Sequence, residues 1–208
     1  MRTIVCYGDS NTWGADPSTQ GRFPYAVRWT TVLARELGEE YLVVAEGLNG
    51  RTTVVDDLIE PNRNGYRQIV PTLESQHPID LVIIMLGTND LKARHNRTAA
   101  DIGQSVSLLA NVARSTLFGP AQARPKVLIL CPPPIAKLTD YQDMFAGAHE
   151  KSLQMPHYYE LAAKWSNSEY LNTGDYIHSS DLDGIHFDVD QLEPLGTAVA
   201  AKVKAIFD

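Results

Sequence analysis

Short apolar runs and stretches of helical periodicity alternate along the chain. Thr3–Tyr7 is apolar and β-branched and predicts a buried strand. Ala26–Gly38 follows, with Val27, Val32, Leu33 and Leu37 near helical spacing and Gly38 placed to end the helix. Tyr41–Ala45 predicts a second strand. Gly65–Gln76 predicts a helix that Pro71 breaks or kinks. Leu81–Leu86 is apolar throughout, the pattern of a central parallel strand covered on both faces. Thr98–Phe118 reads as a long helix with Leu108, Leu109 and Val112 on one side. Val127–Cys131 predicts a fourth strand, stopped by Pro132-Pro133-Pro134, and Tyr141–Ser168 a helix interrupted near Pro156. Tyr170–Asn172 is a faint fifth strand. Gln191–Phe207 closes the series as an amphipathic helix, with Leu192, Leu195, Val199, Val203 and Ile206 in register.

Strands alternating with helices in this way are built from βαβ units. They predict an α/β fold with a five-stranded parallel sheet and helices on both faces. Crossovers are expected to be right-handed, and the functional site to lie beyond the C-terminal ends of the strands. No repeat, low-complexity tract or linker interrupts the 208 residues, so one domain over 1–208 is expected.

Composition narrows the function classes. Hydrophobic residues make up 44% and charged residues 21%, which suits a folded chain rather than a disordered one. The formal net charge of −7 argues against nucleic acid as a partner, because a phosphate backbone asks for a clustered basic surface. No apolar run nears the roughly 20 residues that cross a bilayer, so no membrane partner is expected. Cys6 and Cys131 are too few for a disulfide scaffold and each ends an apolar run as a small buried hydrophobe. Met1-Arg2-Thr3 leads into a short run that ends at Gly8-Asp9, unlike a signal peptide, and a cytoplasmic protein is expected.

The chemistry stands where the strands end. Gly8-Asp9-Ser10-Asn11 follows the first, Gly47-Leu48-Asn49-Gly50-Arg51-Thr52 the second and Gly87-Thr88-Asn89-Asp90 the third. Asp183-Gly184-Ile185-His186-Phe187 stands near the C-terminus. Acyl transfer needs a nucleophile, a base, a group that orients the base, and donors for an oxyanion. Ser10 on a tight turn is the candidate nucleophile and His186 the candidate base. Asp183, three residues earlier, can reach the other ring nitrogen. The Asn89 amide and the backbone N–H groups of Gly50 and Ser10 are the candidate oxyanion hole; a glycine at 50 also lets backbone approach a ligand closely. Gly-Asp-Ser or Asp-x-x-His alone is a weak signal. The ordered set, each part at its expected strand end, is strong.

The chain resembles the SGNH (GDSL-type) hydrolases, whose four blocks carry Ser, Gly, Asn and His; Ser10, Gly50, Asn89 and His186 match them, and Asp183 matches the family's Asp in Asp-x-x-His. Within that family it is similar to bacterial arylesterase/acyltransferases over Val27-Arg28-Trp29-Thr30, Glu46-Gly47-Leu48, Arg51-Thr52-Thr53, Leu81–Asp90 and Asp183–Phe187. Asn11 departs from the pattern, standing where the commonest block has Leu, as does Gly50, where near relatives have Ala. The resemblance implies a three-layer α/β/α sandwich of flavodoxin-like type, a serine esterase of small acyl esters, no metal or cofactor, and a homo-oligomer.

Other readings of single residues compete. Ser10 alone could be a helix cap, and Asn89 or Asp90 a turn residue. Asp181, Asp183, Asp188 and Asp190 resemble a calcium loop only loosely, since Ser179 falls at the first ligand position and no Glu at the last. Trp13, just after the nucleophile, and Phe187, next to the base, are expected to line the acyl pocket and bind substrate. The loop from Ala15 to Tyr25 and the Pro132–Pro134 run are expected to wall its mouth. Tyr141, Phe145, Tyr158 and Tyr159 are read as core or subunit contact. No Gly-x-Ser-x-Gly elbow, P-loop, dinucleotide turn or metal spacing is present. The expected activity is hydrolysis of acetyl-type and aryl esters through an acyl-enzyme, with transfer to alcohols. A carbohydrate O-deacetylase or lysophospholipase on the same machinery, or a non-catalytic binding module, are the alternatives.

Overall fold

Five parallel strands form one sheet in the computed structural model, which describes residues 1–115 and 124–208. They are β1 (Arg2–Gly8), β2 (Tyr41–Gly47), β3 (Leu81–Met85), β4 (Lys126–Cys131) and β5 (Glu169–Asn172). Their spatial order is β2-β1-β3-β4-β5. In the register Gly8 stands opposite Gly47 of β2 and Met85 of β3. Successive strands are added on one side of β1 and then on the other, so the strand order reverses between β1 and β3, and the loops leaving β1, β2 and β3 open at one rim.

Alternation within the strands divides the core. Val5, Tyr7, Val82, Ile84, Val127 and Ile129 face α3 (Gly65–Gln76), α4 (Ala99–Ser115) and α6 (Met155–Ser166). Ile4, Cys6, Leu81, Ile83, Leu128 and Leu130 face α2 (Trp29–Leu37) and α7 (Val189–Phe207). Three layers result, as the resemblance implies. On the second face α7 packs closely on α2: a β-carbon at Gly196 would stand 2.5 Å from Val32. Both cysteines are free and buried, and burial pushes their thiols up and out of the reactive range.

The expected elements recur with shifted ends. Pro71 does not break α3; it and Arg67, whose carbonyl loses its helical donor, are both exposed, so water can take that acceptor. Pro156 stands in the first turn of α6, where no N–H is needed, and the expected interruption lies just before it. A separate short helix, α5 (Ala148–Ser152), precedes it. Leu108 is exposed, a correction to its placing beside Leu109; the buried stripe of α4 is Ile102, Val106, Leu109, Ala110 and Ala113. Residues 116–118 of that expected helix lie outside the described residues. Among the described residues no helix is long and apolar enough to cross a membrane.

Candidate active site

The turn after β1 is held by its own side chains. Asp9 caps the single-turn helix α1 (Ser10–Trp13), its carboxylate accepting from the Asn11 N–H at 3.0 Å. Glycines flank the turn because nothing larger fits: a β-carbon at Gly47 would stand 2.1 Å from the Trp13 nitrogen. Asp9 is buried, and that burial raises its carboxyl to about 6. Ser10 sits at the N-terminus of this turn with its hydroxyl toward the sheet rim.

The second half comes from a loop 173 residues later, just before α7. Asp183 Oδ1 accepts from the N–H groups of Ile185 and His186 at 2.8 and 2.9 Å, so the carboxylate organises its own loop. Its other oxygen meets His186 Nδ1 at 2.6 Å. Burial works against the Asp183 charge, but the His186 ring and the backbone donors outweigh it and hold the carboxyl below its usual range. His186 Nε2 lies 2.9 Å from Ser10 Oγ. With a proton on Nδ1 donated to Asp183, Nε2 is left as the acceptor for the serine hydroxyl. Asn11 ties the two halves together: its side-chain amide donates to the Ile185 carbonyl at 3.3 Å, while its own carbonyl accepts from Trp29 Nε1 at 3.1 Å.

Asn89 and Gly50 approach from the other side. Asn89, at the end of β3, donates through its amide to the Arg51 carbonyl at 3.2 Å. Gly50 has φ of +77°, a conformation that side chains rarely adopt. Arg51, which the sequence reading places in the resemblance without a role, pins this loop. It donates to the Gly8 carbonyl at 2.9 Å and to that of Glu46, and lies 4.1 Å over the Tyr7 ring. Asp90, buried behind Asn89, accepts from the N–H of Thr53 at 2.9 Å and from its hydroxyl. Burial, only partly offset by those donors, raises the Asp90 carboxyl to about 6.

These residues border a cleft of about 300 Å³. Ser10, Gly50, Asn89, Asp183 and His186 all line it. The Ala15–Tyr25 loop contributes Ala15, Asp16, Pro17, Gln20 and Gly21, as expected. Two expected wall residues do not line it. Phe187 is 1% exposed and packs in the core against the α2–α7 face, because the side chain after His186 points to the opposite side of the loop. Trp13 turns back to stack on Arg22, whose guanidinium carbon lies 4.6 Å from the ring. Pro132–Pro134 are likewise absent from the wall. The apolar wall is instead Tyr141, Met144, Phe145 and Ile185, from the segment beyond the prolines and from the histidine loop. Among the described residues no group of three or more His, Cys, Asp or Glu could hold a metal; Asp188 takes the Ser180 hydroxyl at 2.8 Å instead.

The family model described as GDSL-like lipase/acylhydrolase matches residues 6–192. The chain belongs to that family. Two solved structures share 38% of its sequence: Est24, a carbohydrate acetylesterase from Sinorhizobium meliloti, and the native aryl esterase of M. smegmatis. The first has a TM-score of 0.96 and the alignment covers 99% of this chain and 100% of that one; the second has 0.95, covering 99% of each. A lipase/acylhydrolase from Enterococcus faecalis, 20% identical with a TM-score of 0.70 over 99% of this chain and 97% of that one, shows the fold alone. A comparison with curated proteins gives no match. This GDSL-like protein is an ester hydrolase of the SGNH type.

Proposed function

We propose that the chain hydrolyses small acyl esters with Ser10 as nucleophile. Ser10 Oγ attacks the ester carbonyl while His186 Nε2 takes its proton. Asp183 holds the ring in the tautomer that can do so and stabilises the imidazolium that forms. The oxyanion is received by the Asn89 amide and the N–H groups of Gly50 and Ser10. His186 then returns the proton to the leaving alcohol, and a water or a second alcohol repeats the step on the acyl-enzyme. The observation that carries this reading is the unbroken chain Ser10–His186–Asp183, at 2.9 and 2.6 Å, opening on a cleft. A fluorophosphonate should label Ser10 and no other residue; a label mapped to another serine would overturn the assignment.

The acyl group in this reading is short and the acceptor water or an alcohol. Tyr141, Met144, Phe145 and Ile185 give the cleft an apolar side that favours an alcohol with an apolar body over water by about 25 cal/mol per Å² buried. Incubation with vinyl acetate and benzyl alcohol in buffer measures it, as benzyl acetate formed against acetate released. Action on acetylated carbohydrate is favoured by a second observation, the polar wall of Gln20, Asn49, Glu60 and Lys92, and by the 38% identity to the carbohydrate acetylesterase. We also read the chain as a single hydrolase domain in the cytoplasm, supported by the extent of the family match and two free thiols, and as a homo-oligomer, supported by the exposed neighbours Leu58 and Ile59. Light scattering of the purified protein tests the last point.

A further inference from the structure

One wall of the cleft rests on a cluster of charges. Asp57, its side chain fully buried, accepts from the N–H groups of Ile59 and Glu60 at 2.9 and 3.1 Å and pairs with Arg94 at 2.5 Å. His95 Nε2 stands 3.3 Å from the same carboxylate. Arg94 and Lys92 both reach Glu60 Oε1, at 2.7 and 2.6 Å. Lys92 is only 4% exposed at its side chain, so Glu60 has replaced its water. Burial works against the Glu60 charge, but the two cations outweigh it and hold the carboxyl below its usual range. Glu60 is therefore ionised at neutral pH, with Oε1 committed to Lys92 and Arg94.

Its second oxygen faces the other way. Glu60 Oε2 lies 2.5 Å from the place a β-carbon on Gly50 would take, and Arg63 Cδ and Nε lie 3.5 Å from it, so the two side chains share the space above that glycine. Glu60 and Gly50 line the cleft together with Ser10 and Asn89. The other carboxylates of the wall include Asp16, already bonded to Ser18 and Thr19, and Asp183, bonded to His186. Lys92 is the one lysine or arginine among the described lining residues, and it is spent on Glu60. The charged side chains that line the cleft are thus mostly carboxylates, Asp16, Glu60, Asp140 and Asp183 against Lys92, with a charged acceptor beside Gly50. A short acyl group takes a small share of about 300 Å³, which leaves the alcohol part of the ester to meet this wall.

We propose that Glu60 is a specificity-determining residue: its Oε2 accepts a hydrogen bond from a hydroxyl on the alcohol part of the substrate, and its charge turns away alcohols that carry a carboxylate. This rests on the reading of Ser10 as nucleophile. The test compares the wild type with Glu60→Gln on glycerol 1-acetate and on propyl acetate, which lacks the hydroxyls, with kcat/KM followed by acid release. Glutamine keeps the size and an amide oxygen for Lys92 and Arg94. The ratio of the two kcat/KM values should fall about fivefold to tenfold, the difference between a charge-assisted and a neutral hydrogen bond. A ratio unchanged within about twofold overturns the proposal. So does an equal loss on both esters, which would make Glu60 a support for Gly50 and nothing more.

The wild type alone supplies a second reading that needs no variant to fold. O-acetylglycolamide should be turned over more than about tenfold faster than the O-acetylglycolate anion at low salt. The gap should narrow as salt rises to about 0.5 M, because part of the cleft's charge is screened there. Equal turnover of the two at low salt overturns the charge argument. Ser10→Ala run beside these should lose all four esters together. Its retaining them would sink the nucleophile assignment and leave the Glu60 ratio as a separate result.

Discussion

Replacing Asp183 by asparagine changes one oxygen to an NH₂ group and leaves the size alone, yet the geometry makes it a severe change. Oδ1 of Asp183 takes two backbone N–H groups, from Ile185 and His186, at 2.8 and 2.9 Å. In the variant the amide oxygen must stay on that side. Turning the amide over would leave two donors unmade, at about 1–3 kcal/mol each, or about 2–6 kcal/mol together. At 1.4 kcal/mol per tenfold, that fixes the amide by roughly 30-fold to 10⁴-fold. The NH₂ then faces His186 Nδ1, where Asp183 Oδ2 now stands at 2.6 Å. It donates, so Nδ1 must accept and the ring proton moves to Nε2. A protonated Nε2 cannot take the proton of Ser10 Oγ, 2.9 Å away. The expected loss in kcat for Asp183→Asn is therefore about 10² to 10⁴, with KM nearly unchanged. Initial rates with p-nitrophenyl acetate measure the loss, and nitrogen NMR of the imidazole shows which nitrogen carries the proton. A variant within tenfold of the wild type in kcat, or one whose ring proton stays on Nδ1, would refute the tautomer argument.

Ser10→Ala and His186→Ala should each cost on the order of 10⁴ to 10⁶ in kcat, and the double variant should be little worse than either; losses that multiply would mean the two do not act as a unit. Asn89→Ala should cost about 10² to 10³ in kcat with little change in KM, since its amide meets the oxyanion rather than the ground-state carbonyl; steady-state kinetics that show a change confined to KM would demote Asn89 to substrate binding. Burial opposes the charge of Asp57, but Arg94 and the N–H groups of Glu60 and Ile59 outweigh it and bring the carboxyl down to about 2. A carboxyl lowered on folding adds stability above its unfolded value, about pH 4, and loses it as pH falls toward 2. Asp57→Asn should accordingly lower the melting temperature at pH 7 and bring the two proteins together near pH 2; a deficit that persists undiminished at pH 2 would refute the assignment.

The layer architecture was legible because burial has a period. Leu81–Leu86 and Val127–Cys131 are apolar at every position, and only a strand covered on both faces tolerates that. The nucleophile turn, Asn89 and the Asp183–His186 loop were legible for a related reason: each is a short local motif, and a carboxylate three residues before a histidine can reach its ring without help from the fold. What the sequence determined was therefore local: which side chains could do chemistry, and at which strand ends they would stand.

The tertiary structure decided what those residues face. Sequence proximity put Trp13 and Phe187 beside the chemistry, but the side chain three residues past Ser10 stacks on Arg22 and the one next to His186 packs into the α2–α7 core. The wall came instead from Tyr141, Met144 and Phe145, whose helical-looking spacing carries no sign of a cleft. The contacts of Arg51 and of the Asp57–Glu60–Lys92–Arg94 cluster were invisible for the same reason. The bonds Arg51–Gly8, Lys92–Glu60 and Arg94–Asp57 span 32 to 43 residues, and a charge in a sequence does not say whether it meets water or another buried charge. Only the closing of the β2–α3 loop onto the end of β3 removes the water and makes Glu60, Lys92 and Gly50 neighbours.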